Sequence, residues 1–466
     1  MRKRTTFFII IIFLLFGSIA VILSILYVRP KQSLVKPNIL LVTVCSLRQD
    51  HLGCYGYSRD TSPNMDNFSS GSTIFKNCYT NIPWTKPSVI AMMTGEYPYS
   101  NVEISEESAL APLLRSSGYL TCGIIGSNVP REGARAHRGF DIYLDNRDLN
   151  TSKDSHTVQA DTIVDEAIKF LKKPKPQTRP LFLWVFFKDP HWPYLPPPDY
   201  RDKFLDDALY NKENRKLSIN IDRSNSIGGI GEARLEKENG EFVTDKSYYI
   251  SQYDAEILFL DSQFGRLIEF LKREGNYQDW VIILVSDHGE SLGEENYFFD
   301  HGYKLNEGVI KIPLMIKLPR QAKKSVIKDQ VSICDIYPTI LSLAGPVRNM
   351  SKNNSTGNSI LAKAGLWRRK LNPDMALMLE NSPEHENEKI KFIGSIWEHY
   401  KLIYNLATGE KIFYDILKDE VRLKNYSGRE RRVFNKISNF IKIFFNNLNN
   451  KNSTSREQLK SLGYLQ

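Results

Sequence analysis

Five short apolar runs, each stopping where a polar cluster begins, constrain the fold of this chain more than any other feature. They are Asn38–Val44, Leu120–Ile125, Leu181–Phe187 and the runs at residues 281–285 and 312–318. Runs of this length, apolar throughout rather than alternating, read as strands covered on both faces of a mostly parallel sheet. Helical patterns lie between them. Ile163, Val164, Ala167, Ile168 and Leu171 share one face, and Ile250, Tyr253, Ile257, Leu260, Phe264, Leu267 and Leu271 share another. Strands alternating with amphipathic helices predict an α/β layered fold.

The 466 residues suffice for one large α/β domain and a smaller one. Residues 7–27 carry no charge and follow Arg2, Lys3 and Arg4. That length spans a bilayer core, and the basic flank stays in the cytoplasm. A cleavable signal is the competing reading, but the apolar run continues well past Ala20, so an uncleaved single-pass anchor is expected. Residues 1–6 are then a cytoplasmic basic end, and the rest of the chain is periplasmic or extracellular.

Residues 28–36 read as a linker and 201–245 as a polar surface insertion. Residues 347–359 read as a loop or boundary. Beyond about Ala376 come short strands and turns, then a Lys/Asn-rich helical stretch with Phe440, Ile441 and Ile443. The formal charge of +9 is not focused, although much of it lies in the first four residues and after Lys418. With no arginine-rich arm or zinc-finger spacing it argues against nucleic acid, and a basic tail suits an anionic membrane surface. Five cysteines without paired short spacing imply no disulfide framework, although a Cys54–Cys78 bridge stays open.

Ligands of open α/β sheets bind at the carboxyl ends of strands, and three polar clusters fall at or near such ends. The run at 281–285 delivers Ser286, Asp287, His288, Gly289 and Glu290. Adjacent carboxylate and imidazole offer an oxygen and a nitrogen to one divalent cation, and Gly289 allows a tight turn. The first strand delivers Cys45, Ser46, Leu47, Arg48, Gln49, Asp50 and His51. The third cluster runs from Pro83 to Ser88 and opens a helix. A Thr85 hydroxyl at that helix start is placed for attack on an anionic ester, or it is an ordinary helix cap.

These pieces together resemble the sulfatase family of the alkaline phosphatase superfamily over residues 37–361. The resemblance rests on PNILLVTVCSLRQDHLGCYGY, TSPNMDNF, PWTKPSVIAMMTGEYP, DPHWPYLPP, QYDAEILFLDSQFGRL, VSDHGESLGE, DHGYKLNEGVIKIPLMI and DIYPTILSLAG. It implies a mixed sheet sandwiched by helices, a small C-terminal sheet subdomain over residues 376–466, and a divalent cation, calcium in the family. By position Thr85 takes the nucleophile slot, and Asp287 and His288 are metal ligands. His191 and His301 bind the anion or protonate the leaving group, or make structural hydrogen bonds. Lys304 and Arg48 are substrate-binding candidates, Arg48 also reading as a structural ion-pair partner.

Two departures limit the carry-over. Cys45 and Ser46 stand where the family usually has aspartate ligands, and Thr85 and Val89 stand where sulfate-ester enzymes have a Cys or Ser matured to formylglycine and an arginine. Threonine cannot give that aldehyde, so formylglycine is not expected. Cys45 leaves three readings open: a thiolate joining Asp287 and His288 around zinc or manganese, a weak metal site without it, or a binding protein with no turnover. The expected activity is metal-dependent hydrolysis of sulfate or phosphate esters on a glycan or lipid. The alternatives are phosphoryl transfer from lipid head groups and anion binding alone.

Overall fold

Strand β1 (Asn38–Val44) shows why uniformly apolar runs become central strands. Its side chains alternate between two cores. Leu40, Val42 and Val44 enter one cluster with Ile163, Ile257, Leu260 and Phe264. Ile39, Leu41 and Cys45 enter another with Val89, Leu110 and Tyr337. Both faces are covered, so both parities are apolar apart from Thr43, whose hydroxyl accepts from Trp184 Nε1–H at 3.0 Å, and each fully buried aliphatic side chain contributes about 1.5–3 kcal/mol.

The computed structural model describes residues 36–97, 109–149, 158–174, 179–205, 246–294, 297–345, 359–362, 377–380, 392–418, 421–422 and 426–449. The expected membrane segment at 7–27, the linker to residue 35, and most of the 201–245 and 347–359 segments lie outside these. Among the described residues no helix is long and apolar enough to cross a membrane. Met1–Lys36 and Pro37–Gln466 are separate units, and the sheets and the site belong to the second.

The remaining strands are β2 (Thr73–Tyr79), β3 (Leu120–Ile125), β4 (Ile142–Leu144), β5 (Leu181–Phe187), β6 (Trp280–Ser286), β7 (Ser291–Leu292), β8 (Phe298–Asp300), β9 (Lys311–Lys317), β10 (Ser325–Ser332), β11 (Leu377–Glu380), β12 (Phe392–Trp397), β13 (Tyr400–Asn405), β14 (Lys411–Asp415) and β15 (Val421–Arg422). The large sheet has the order β10-β2-β9-β6-β1-β5-β3-β4. It is mixed: β9 runs antiparallel to both β2 and β6, and the other neighbours are parallel. Helices α1 (Pro63–Ser69), α2 (Thr85–Thr94), α3 (Leu110–Ser116), α4 (Ala160–Lys172), α5 (Lys246–Arg273), α6 (Ile336–Ala344) and α7 (Gly428–Asn449) complete the frame. Residues of α1, α4 and α5 pack into the first core, and residues of α2, α3 and α6 into the second.

The C-terminal strands form a five-stranded antiparallel sheet, with Ile437 and Ile441 of α7 packed against it. Its other face meets the large domain, Ile396 and Ile403 touching Tyr79, Leu305, Val309 and Ile310. The buried Lys401 ammonium donates to Leu305 O at 3.0 Å and lies 3.2 Å from Glu307 Oε1. The small sheet thereby braces the segment that follows His301. None of the five cysteines is in a disulfide.

Candidate active site

The parallel pairing of β1 and β6 puts Val44 beside Ser286, so both chains leave the sheet at the same level. Cys45 and Ser46 emerge from one strand, Asp287 and His288 from its neighbour. Ser286 ties the two exits together: its hydroxyl accepts from Leu47 N–H at 3.0 Å and lies 2.8 Å from Val44 O. Ser46 holds a left-handed backbone, φ 59°, which costs a non-glycine residue about 1–3 kcal/mol. The turn is held by Ser46 N–H donating to Asp287 Oδ1 at 3.1 Å and by Tyr253, whose hydroxyl donates to Ser46 O at 2.7 Å and accepts from Arg48 N–H at 2.9 Å.

Thr85 is the first residue of α2, and the cap position belongs to Trp84, so the plain helix-cap reading is not what the structure shows. The buried Thr85 hydroxyl instead sits 3.5 Å from Cys45 Sγ and 3.2 Å from His288 Nε2. Ser88 of the same motif is structural, meeting Thr80 Oγ1 at 2.8 Å and donating to Ile82 O at 2.9 Å. Val89, in the arginine slot, is fully buried in the core and offers no charge.

His288 Nδ1 lies 2.8 Å from Gly289 O, which can only accept, so Nδ1 carries the proton and Nε2 presents a lone pair. Asp287 Oδ1 accepts from the Ser46 and His288 amides at 3.1 and 2.7 Å. Its fully buried Oδ2 has no hydrogen-bond partner and lies 3.5 Å from His288 Nε2. Two facing acceptors with no proton between them repel, and a cation relieves that. Cys45, Asp287 and His288 each bring a ligand atom within 4.8 Å of the others.

A divalent cation therefore fits the pocket, but the donors are not a calcium set. Calcium takes about 6–8 oxygens, whereas here one carboxylate is joined by an imidazole, a thiol and a hydroxyl. Burial pushes the Cys45 thiol up, and the nearby Asp287 charge adds to it.

Three imidazoles pack against one another beside these donors. His301 stacks 4.2 Å from His288, and His191 lies edge-on to His301 at 5.0 Å. Burial lowers His288 to about 4 and His301 to about 3, the Asp287 charge opposing in both. His191 is also lowered, by burial and then by the Lys188 charge. His301 Nδ1 is 3.0 Å from Glu290 Oε1, and burial raises that carboxyl to about 8.

Two candidates have partners within the protein. The Arg48 guanidinium is spent on Asp50, at 3.0 and 2.7 Å, on Glu294 at 2.7 Å and on Glu290 O at 3.1 Å. Its bidentate grip on Asp50 matches the ion-pair reading of this residue. Lys304 Nζ lies 5.5 Å from the centre of the Phe392 ring of the C-terminal sheet. Sequence reasoning passed over Lys188, which follows the apolar β5. Cys45 N–H bonds Phe187 O at 3.0 Å, and burial lowers the Lys188 ammonium while the Asp287 charge opposes that shift. Its signal was the one used for the other clusters, a polar residue at the carboxyl end of a buried strand.

A sulfatase family model matches residues 37–346. The arylsulfatase of Clostridium perfringens is 25% identical over 465 residues, covering 85% of this chain and 91% of that protein. A protein solved with its substrate D-glucosamine-2-N,6-O-disulfate superposes with a TM-score of 0.64 at 20% identity, covering 82% of this chain and 92% of that one. The phosphonate monoester hydrolase of Agrobacterium radiobacter gives 0.63 at 18% identity, covering 88% and 95%. These two likenesses carry the fold, which is the alkaline-phosphatase-like mixed sheet with a small C-terminal sheet. With its family match running over more than half its length, through both strand ends that build the site, the chain belongs to the sulfatase family of hydrolases.

Proposed function

We propose that the protein cleaves sulfate or phosphate esters outside the cytoplasm by a covalent route through Thr85. One observation carries this: the Thr85 hydroxyl lies at the start of α2, 3.2 Å from His288 Nε2 and 3.5 Å from Cys45 Sγ. A helix N-terminus attracts an anion, so the ester's charged group is drawn to the hydroxyl that attacks it. Thr85 Oγ gives its proton to solvent and bonds to sulfur or phosphorus, and the bond to the leaving oxygen breaks. His301 protonates that oxygen and takes a proton at Nδ1 from the Glu290 carboxyl 3.0 Å away, or His191 does so with a proton drawn from solvent. Water then attacks the sulfur or phosphorus and frees Thr85. Cys45, Asp287 and His288 would hold a divalent cation, and such a cation would supply positive charge opposite the transferred group and lower the hydroxyl's pKa.

Threonine has a single hydroxyl, so the adduct is resolved by attack from outside. Where a glycan or lipid hydroxyl replaces water, the same site is a transferase. Sulfated glycan chemistry among the structural neighbours supports an anionic ester substrate. The uncharged stretch at residues 7–27 supports action on the far side of a membrane. The test is a panel of nitrophenyl sulfate, phosphate monoester and phosphodiester with wild type and Thr85→Ala. Turnover is expected only with Thr85 present, together with a sulfo- or phospho-threonine peptide. Equal rates from Thr85→Ala would remove the covalent route. No turnover of any ester by wild type, with or without an added hydroxyl acceptor, would leave the anion-binding reading.

A further inference from the structure

We propose that Cys45 Sγ, Asp287 Oδ2, His288 Nε2 and Thr85 Oγ1 form a four-coordinate site that selects a borderline-soft divalent cation of the zinc class over calcium. This deepens the ester-cleaving reading and rests on it only for the role of Thr85. The geometry comes first. Sγ to Oγ1 is 3.5 Å, Oγ1 to Nε2 is 3.2 Å and Nε2 to Oδ2 is 3.5 Å. A tetrahedral zinc ion with bonds of about 2.3 Å to sulfur and about 2.0 Å to nitrogen and oxygen has edges of about 3.5 Å between sulfur and oxygen and about 3.3 Å between nitrogen and oxygen. The three edges match these, before any ion has drawn the donors together.

Orientation agrees. Gly289 O fixes the His288 tautomer so that Nε2 faces the other donors. The amides of Ser46 and His288 occupy Asp287 Oδ1 and leave Oδ2 fully buried, without a hydrogen-bond partner and 3.5 Å from His288 Nε2. A metal-ligating imidazole whose other nitrogen is pinned to a carbonyl is the usual arrangement in such sites. The donor types decide the selectivity. Thiolate and imidazole suit zinc, whereas calcium needs oxygen ligands in greater number than the buried side chains supply. Cys45 itself is completely buried, in contact with the second core, so it is inaccessible to bulk reagents and held at the strand end.

The experiment strips the purified full-length protein with a chelator and titrates it separately with cobalt(II), zinc and calcium. One cobalt per chain is expected, with a near-ultraviolet sulfur-to-cobalt charge-transfer band and the intense visible bands of a four-coordinate ion. Zinc is expected to displace the cobalt, and calcium in large excess is not. Cys45→Ser should lose the charge-transfer band and weaken cobalt binding by on the order of 100-fold, and Cys45→Asp should gain calcium binding. The wild-type spectrum is decisive even if a variant folds poorly, because the band reports sulfur ligation directly. Cobalt bound without that band, calcium bound more tightly than zinc, or no metal bound at all would each overturn the proposal. A charge-transfer band with no ester turnover would sink the enzymatic reading and leave the site standing. Turnover supported by calcium without the band would do the reverse.

Discussion

Substituting Gly289 by alanine tests how the turn that carries Asp287 and His288 is built. Gly289 does not need an unusual φ. It is needed because a Cβ there would lie 1.8 Å from Gly308 O and 2.9 Å from Gly308 C. The obstructing atoms are backbone, and they are tied in place: Gly289 N–H donates to Val309 O at 2.8 Å. Gly308 cannot retreat freely, since a Cβ on it would in turn lie 2.8 Å from the Arg48 guanidinium. An ordinary contact needs more than an ångström of separation beyond what is present, and overpacking of this kind costs about 3 kcal/mol or more. With an unfolding entropy of about 2.1 cal/mol/K per residue over roughly 430 residues of the Pro37–Gln466 unit, that is a melting shift of about 3 °C. The local effect is larger than the global one, because Gly289 O orients His288. Scanning calorimetry and metal titration of Gly289→Ala are expected to show the lowered melting point and metal binding weakened at least tenfold. An alanine variant that melts and binds metal like wild type would refute the steric argument.

Two further predictions concern buried carboxylates. Asp254 holds His51 at 2.6 Å, Tyr57 at 2.6 Å and Arg59 at 2.8 Å. Asp254→Ala leaves the Arg59 charge buried without its carboxylate, and chemical denaturation should show a loss of about 3–5 kcal/mol. Asp189 and Glu256 face one another, and burial raises Asp189 to about 6 and Glu256 well above its usual range. Folded pKa values above the unfolded ones mean the folded state binds protons more tightly. The stability they contribute is therefore complete below about pH 4 and is lost as pH rises through the folded values. For Asp189 alone that is on the order of 3 kcal/mol. Denaturation at pH 5 and pH 8 should show wild type weakening relative to Glu256→Gln at the higher pH, and parallel curves would count against the pair.

The central strands were legible because burial on both faces removes polar residues from either parity, as in LFLWVFF of β5. The edges of the sheet were not. In β10 the sequence SVIKDQVS mixes exposed and buried positions, since only one neighbour covers it, and its pattern reads equally well as a loop. Nor did the run of β9 announce that it is antiparallel, because strand direction is set by the connections rather than by side-chain periodicity. Arg48 shows the same limit at the site. An arginine beside a strand end can bind a substrate anion or a protein carboxylate, and Glu294, far along the chain, is part of what decided it.

What the sequence by itself determined is chemical: threonine rather than an aldehyde precursor, a thiol where a carboxylate is usual, and the adjacent Asp287 and His288. Side-chain identity sets softness, charge and nucleophilicity, and no fold alters those lists of donors. What only the tertiary structure decided is that these groups meet. Cys45 faces Thr85 at 3.5 Å because β1 ends beside the start of α2, and Asp287 and His288 join them because β1 and β6 pair in register at Val44 and Ser286. The same packing made Gly289 obligatory through Gly308 and paired Arg48 with Asp50 and Glu294. Each of these is a contact between distant segments, and such contacts are fixed by sheet register and helix packing, which local sequence does not encode.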